Sequence, residues 1–112
     1  MDLYLELQRK MKQLDNAIKM LRNTGRDYAK SYTEYRMALA KELLILKNEG
    51  YAITLAGDIA RGKPEIAKLK FEEISNEAIY KANLESINVS KLEIKIIQEQ
   101  INKEYSNVDK QW

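Results

Sequence analysis

Leu14, Ile18, Leu21, Gly25, Tyr28, Tyr32, Tyr35 and Leu39 follow one another at alternating steps of four and three residues. That alternation keeps one stripe of side chains on the same side of an α-helix, which is the pattern of a coiled-coil seam. A helix carrying such a stripe is not stable alone and has to lie against another. The stripe extends back through Met11, Leu7 and Leu3 and forward through Leu43 and Leu46. Asp2 is placed to cap its start, Glu6 adds a negative charge to the first turn, and Gly50 offers a left-handed stop. These signals predict a helix over about residues 3–47, roughly 67 Å long at 1.5 Å per residue.

Asn23-Thr24-Gly25 interrupts this segment. A turn there would make two shorter helices and, with the second half of the chain, a three-helix bundle broken at Gly25. An unbroken helix would carry the glycine at a cost of about 1 kcal/mol relative to alanine. The stripe stays in phase across Gly25, which a turn would not require. A continuous helix is therefore expected, and a glycine in the seam would let a partner approach closely.

Pro64 and Glu65 form a strong helix start, and neither proline nor glycine follows before Tyr105. The second helix is expected over about 64–105, with a polar, frayed tail over 106–112 that ends in Trp112. Two helices of similar length suggest a long antiparallel hairpin within one domain, 1–112. The second helix, however, carries two apolar stripes. Ala67, Phe71, Ile74, Ala78, Ala82, Val89, Leu92 and Ile96 make one; Tyr80, Leu84, Ile87, Ile94, Ile101 and Tyr105 make the other. A single partner helix covers one of them. Hiding about 300 Å² of the remainder is worth on the order of 7 kcal/mol, more than half of a typical domain's stability. Two hairpins joined as a four-helix bundle would hide it.

The connection, residues 48–63, is too apolar for a loose linker. Tyr51, Ile53, Leu55 and Ile59 are expected to fold over the helix ends, with Thr54 capping one helical turn over 55–61 and Gly62 ending it. A strand over 51–56 would have no sheet to join. Gly57 to Lys63 spells G-x-x-x-x-G-K, the phosphate-binding loop, but Pro64 stands where that loop needs Ser or Thr to hold Mg²⁺. Nucleotide hydrolysis is thereby disfavoured. Arg61 and Lys63 remain candidates for anion contact beside a helix N-terminus, against the opposing charge of Asp58 and Glu65.

The chain has no His and no Cys, so the commonest general base, the commonest zinc ligand and any disulfide are missing. No cofactor or metal is expected. Charged residues make up 32% of the chain at a net +2, the balance of two-faced helices rather than of a dedicated nucleic-acid binder. The first residues lack the basic and apolar regions of a signal peptide, and no window is apolar enough to span a membrane. Glu72-Glu73 implies no pocket for acid–base work, so no enzyme is expected.

Two constellations stand out. Tyr28, Tyr32 and Tyr35, with Arg36 and the later Tyr51, are candidates for a protein contact or an oligomer interface, because tyrosines are rigid and amphipathic. Lys12, Lys19, Arg22, Arg26 and Lys30 fall along one face and are candidates for tracking a phosphate backbone, though Asp15 and Asp27 interrupt them.

Tyr35-Arg36-Met37-Ala38-Leu39-Ala40, Leu46-Lys47-Asn48-Glu49-Gly50, Thr54-Leu55, Ala60-Arg61-Gly62 and Ile87-Asn88-Val89-Ser90-Lys91-Leu92 resemble a family of small all-helical bacteriophage proteins. Their genes lie among early recombination and single-strand-binding functions in phages of Gram-positive hosts. This chain has Glu104-Tyr105 where those relatives carry Glu-Trp. The motifs are helix and turn patterns, so the resemblance carries over no catalytic residue. It implies an early phage protein in the bacterial cytoplasm that inhibits a host factor, for instance as an anti-defence protein, or assists phage DNA metabolism. The expected function is a non-enzymatic, self-associating protein that binds a host or phage protein. A nucleic-acid-associated recombination accessory and an anion- or nucleotide-sequestering protein are the alternatives.

Overall fold

The computed structural model describes residues 2–110 and is all-helical: α1 spans Leu3–Asn48, α2 Ile53–Gly62 and α3 Pro64–Lys110. No strand occurs among the described residues. Asp2 caps α1 as expected, its Oδ1 accepting from the amides of Tyr4 at 2.9 Å and Leu5 at 3.3 Å. The helix ends at Gly50, whose φ of 95° lets Gly50 N–H reach the Lys47 carbonyl and Tyr51 N–H reach that of Leu46. Those two bonds form a Schellman motif.

α1 runs through Asn23-Thr24-Gly25 without a break, so a bundle broken at Gly25 is not formed. The third helix is instead α2, which is longer than the single turn anticipated. Thr54 lies inside it. Ala52 is the N-cap, makes no side-chain cap bond, and lends its carbonyl to Ala56 N–H at 2.8 Å. Lys63 alone separates α2 from α3. Its extended backbone (φ −68°, ψ 136°) is what a residue before proline requires. α3 continues past 105 to Lys110, so residues 106–110 extend the helix where a frayed tail was expected. Trp112 lies outside the described residues.

The chain packs as two compact units: unit 1, Met1–Arg22 with Lys81–Trp112, and unit 2, Asn23–Tyr80. In unit 1, α1 and α3 run antiparallel, with Lys10 paired to Glu93 at 2.6 Å and Asn83 donating to the Ala17 carbonyl at 2.9 Å. Ala17, Ile87 and Ile97 are buried there. In unit 2 the same two helices run antiparallel, with Tyr28 against Glu77. The core of unit 2 gathers Tyr35, Leu39 and Leu46 of α1, Ala56 and Ala60 of α2 and Ile66 of α3.

The side of α1 that is covered differs from the stripe anticipated by about one residue. Ala17, Thr24 and Ser31 are buried, whereas Met11, Ile18 and Tyr32 are 53%, 49% and 46% exposed. Small side chains let the facing helix come close, so Ile18 beside Ala17 and Tyr32 beside Ser31 are turned outward. α2 follows the same logic. Ala56, Gly57 and Ala60 point inward, while Tyr51, Ile53 and Leu55, expected to close the core, stay exposed.

Candidate functional site

The seam of unit 2 is polar where α1 and α3 meet at mid-length. Tyr28 donates its hydroxyl to Glu77 Oε2 at 2.9 Å, and its ring lies 5.9 Å from that of Tyr80. Glu73 is buried but paired, accepting from Lys70 Nζ at 3.0 Å. The same ammonium stands 4.7 Å above the Tyr35 ring, a cation–π contact. The hydrogen bond to Glu77, followed by partial burial, raises the Tyr28 phenol above its ordinary value. Lys70 is raised chiefly by its hydrogen bond to Glu73. No buried side-chain nitrogen or oxygen lacks a partner among the described residues. This is a network in which the buried polar groups of the seam are paired.

The tyrosine cluster is therefore divided. Tyr35 is buried, and the half-buried Tyr28 is engaged with Glu77 within the unit. Tyr32, Arg36 and Tyr51 keep exposed surface.

The phosphate-loop spelling is resolved by α2 itself. Gly57 to Gly62 is helix, so most of the amides that would cradle an anion are spent on helical bonds. Arg61 folds back over Gly57, with Nη1 only 2.9 Å from where a Cβ on that residue would sit. Lys63 is bound to Glu42, which raises its pKa, with Glu49 and Glu65 adding to the rise. Of the two cations expected to meet an anion, Lys63 is thus paired inside unit 2, while Arg61 is exposed.

The basic residues on α1 are exposed in both units but partly neutralised. In unit 1, Lys12, Lys19 and Arg22 are exposed, and Lys19 pairs with Asp15 at 2.9 Å. In unit 2, Arg26 and Lys30 are exposed, and Lys30 lies 4.0 Å from Glu34. No group of three or more acidic side chains among the described residues is placed to hold a metal. No helix among them is long and apolar enough to cross a membrane.

What remains is apolar surface. Of the two stripes on α3, the one holding Ile87, Ile94 and Ile101 is turned toward α1. In unit 2 the other leaves Phe71 and Ile74 exposed at 70% and 55%, and in unit 1 it leaves Leu92 at 58% with Val89 and Ile96 also open. Sequence reasoning missed a second feature, a cleft of about 280 Å³ between α1 and α2 in unit 2. It is lined by Ala40, Leu43, Leu44, Lys47, Ile53 and Ala56. Its signal was the outward Leu44, Ile45 and Ile53 flanking small residues, a pattern masked by the expectation that α2 would bury its largest side chains.

No protein-family model, curated protein or solved structure matches this chain.

Proposed function

We propose that this is a non-enzymatic helical protein that associates with itself and works by covering a surface of another protein. The single observation that carries this reading is the apolar stripe of α3 turned away from α1. Within unit 2, Phe71 and Ile74 hold a large part of their surface in water, and within unit 1 Val89, Leu92 and Ile96 do the same. Such a face is costly to leave wet, at roughly 25 cal/mol per Å². A second hairpin laid against it would give a four-helix bundle with a closed two-fold interface. The balanced charge supports a protein partner over a polyanion. The resemblance to early phage proteins supports a host or phage protein as that partner, in the bacterial cytoplasm, with inhibition of a host factor, including a defence factor, as the outcome.

Light scattering on the full chain tests the assembly. The expected mass is at least about twice the 13.1 kDa of one chain, and Phe71→Glu with Ile74→Glu should return it to 13.1 kDa while the far-ultraviolet spectrum stays helical. A wild-type chain that remains at 13.1 kDa at all concentrations overturns the self-association part of the reading.

A further inference from the structure

We propose that the α1–α2 cleft of unit 2 is a docking site for an acidic amphipathic helix of a partner protein, which inserts an aliphatic or aromatic side chain between Leu44 and Ile53. This rests on the reading that the protein acts by contact with another protein, and it names the chemistry of that contact. The cleft is lined by small residues, the exposed Ala40 and the buried Ala56, and by two outward side chains, Leu44 at 62% and Ile53 at 77% exposed. Its volume of about 280 Å³ exceeds that of a cavity of about 150 Å³ that takes up benzene, so one or two large side chains fit.

Charge decides the occupant. Projected at about 100° per residue, Arg26, Arg36 and Lys47 fall within about 60° of the line along α1 through Ala40. The carboxylates of this half of α1 lie at least about 120° away from that line: Asp27, Glu34 and Glu42. On α2, Asp58 is turned some 140° from Ile53 by the same count. None of Arg26, Arg36 and Lys47 is in an ion pair among the described residues. The face is therefore an apolar notch lined by Lys47 and bordered along α1 by Arg36, on a chain whose overall charge is nearly balanced. A helix laid in a groove anchors through residues at i, i+3 and i+4 and offers its flanks to the rim, so carboxylates beside those anchors complement this one. A phosphate backbone would answer the cations but has no side chain to place in the notch. A bilayer surface would meet the two outward side chains and leave the notch between them empty.

The test titrates the ¹⁵N-labelled full chain with a synthetic amphipathic helix of about 18 residues whose leucine stripe is flanked by glutamates. A control peptide carries lysine at each glutamate, and a thymidine oligonucleotide and anionic vesicles are tested beside it. Amide shifts are expected at Ala40, Leu44, Lys47 and Ile53, with the acidic peptide bound at least about tenfold tighter than the basic one. Added salt should narrow that gap. Leu44→Glu and Ile53→Glu, at exposed positions, should abolish the shifts without altering helicity. No shifts, equal affinity for the two peptides, unchanged binding by Leu44→Glu, or tighter binding of oligonucleotide or vesicles at this face each overturn the proposal. Self-association is read separately by light scattering, so a monomeric chain that binds the acidic peptide would defeat the assembly reading and leave this one standing.

Discussion

Gly25 of α1 faces the ring of Tyr80 of α3 so closely that a Cβ on the glycine would stand 3.3 Å from Tyr80 Cε1. The glycine thus makes room for a neighbouring side chain, and the continuous helix bears its weak helix propensity in return. The tyrosine ring it admits packs in turn against Tyr28, whose hydroxyl holds Glu77.

Gly25→Ala sets two effects against each other. Alanine gains about 1 kcal/mol of helix propensity, and the ring must give by a few tenths of an ångström. Tyr80 is half-buried and can move, so the net effect should be a stabilisation of up to about 0.5 kcal/mol. Gly25→Leu cannot be accommodated that way and should destabilise by about 1–3 kcal/mol. Urea unfolding midpoints of the two variants check both signs.

Ile96 and Ile97 are chemically identical neighbours with opposite surroundings, 46% and 7% exposed. Ile97→Ala should cost about 2–4 kcal/mol through the cavity it leaves, and Ile96→Ala less than about 1 kcal/mol in the monomeric hairpin. Equal losses in chemical denaturation would mean that α3 presents a different face to α1.

Tyr28, Lys63 and Lys70 all hold their protons more tightly in the folded chain than in the unfolded one. Groups raised in this way contribute stability that is complete below their ordinary values, 10.0 for the phenol and 10.5 for the ammonium groups. That contribution disappears as pH climbs through the folded values. The melting temperature should stay level with respect to these groups between about pH 7 and 9 and fall above about pH 10. Tyr28→Phe should lower it near neutrality and soften the alkaline decline. A decline of the same steepness in Tyr28→Phe would show that the Tyr28–Glu77 bond is not linked to stability.

Much of the architecture could be read from spacing and punctuation. The Asp2 cap, the Gly50 stop and the Pro64 start follow from local backbone chemistry, and the unbroken passage through Gly25 follows from the phase of the stripe. The covered faces were harder to assign. In α1, hydrophobicity alone favours Ile18 over Ala17 and Tyr32 over Ser31, while close packing of two helices favours the smaller member of each pair. Polar seam residues such as Glu73 and Asn83 look like surface positions until their partners, Lys70 and the Ala17 carbonyl, are known. The same bias hid the α1–α2 cleft, because Ala40 and Ala56 line it and Ile53 was expected to close the core.

The connectivity of the two packing units sets an order of assembly. Residues 23–80 form one contiguous stretch whose α1–α3 contacts, such as Tyr28 with Glu77, lie wholly within it, so they can condense once residue 80 has left the ribosome. Residues 1–22, made earlier, must wait with their sticky side bare until residues 81–110 have been synthesised. Residues 1–22 thus find shelter only after the whole of residues 23–80 has been made, and for that interval the nascent chain is most open to chaperones, to proteases and to other copies of itself.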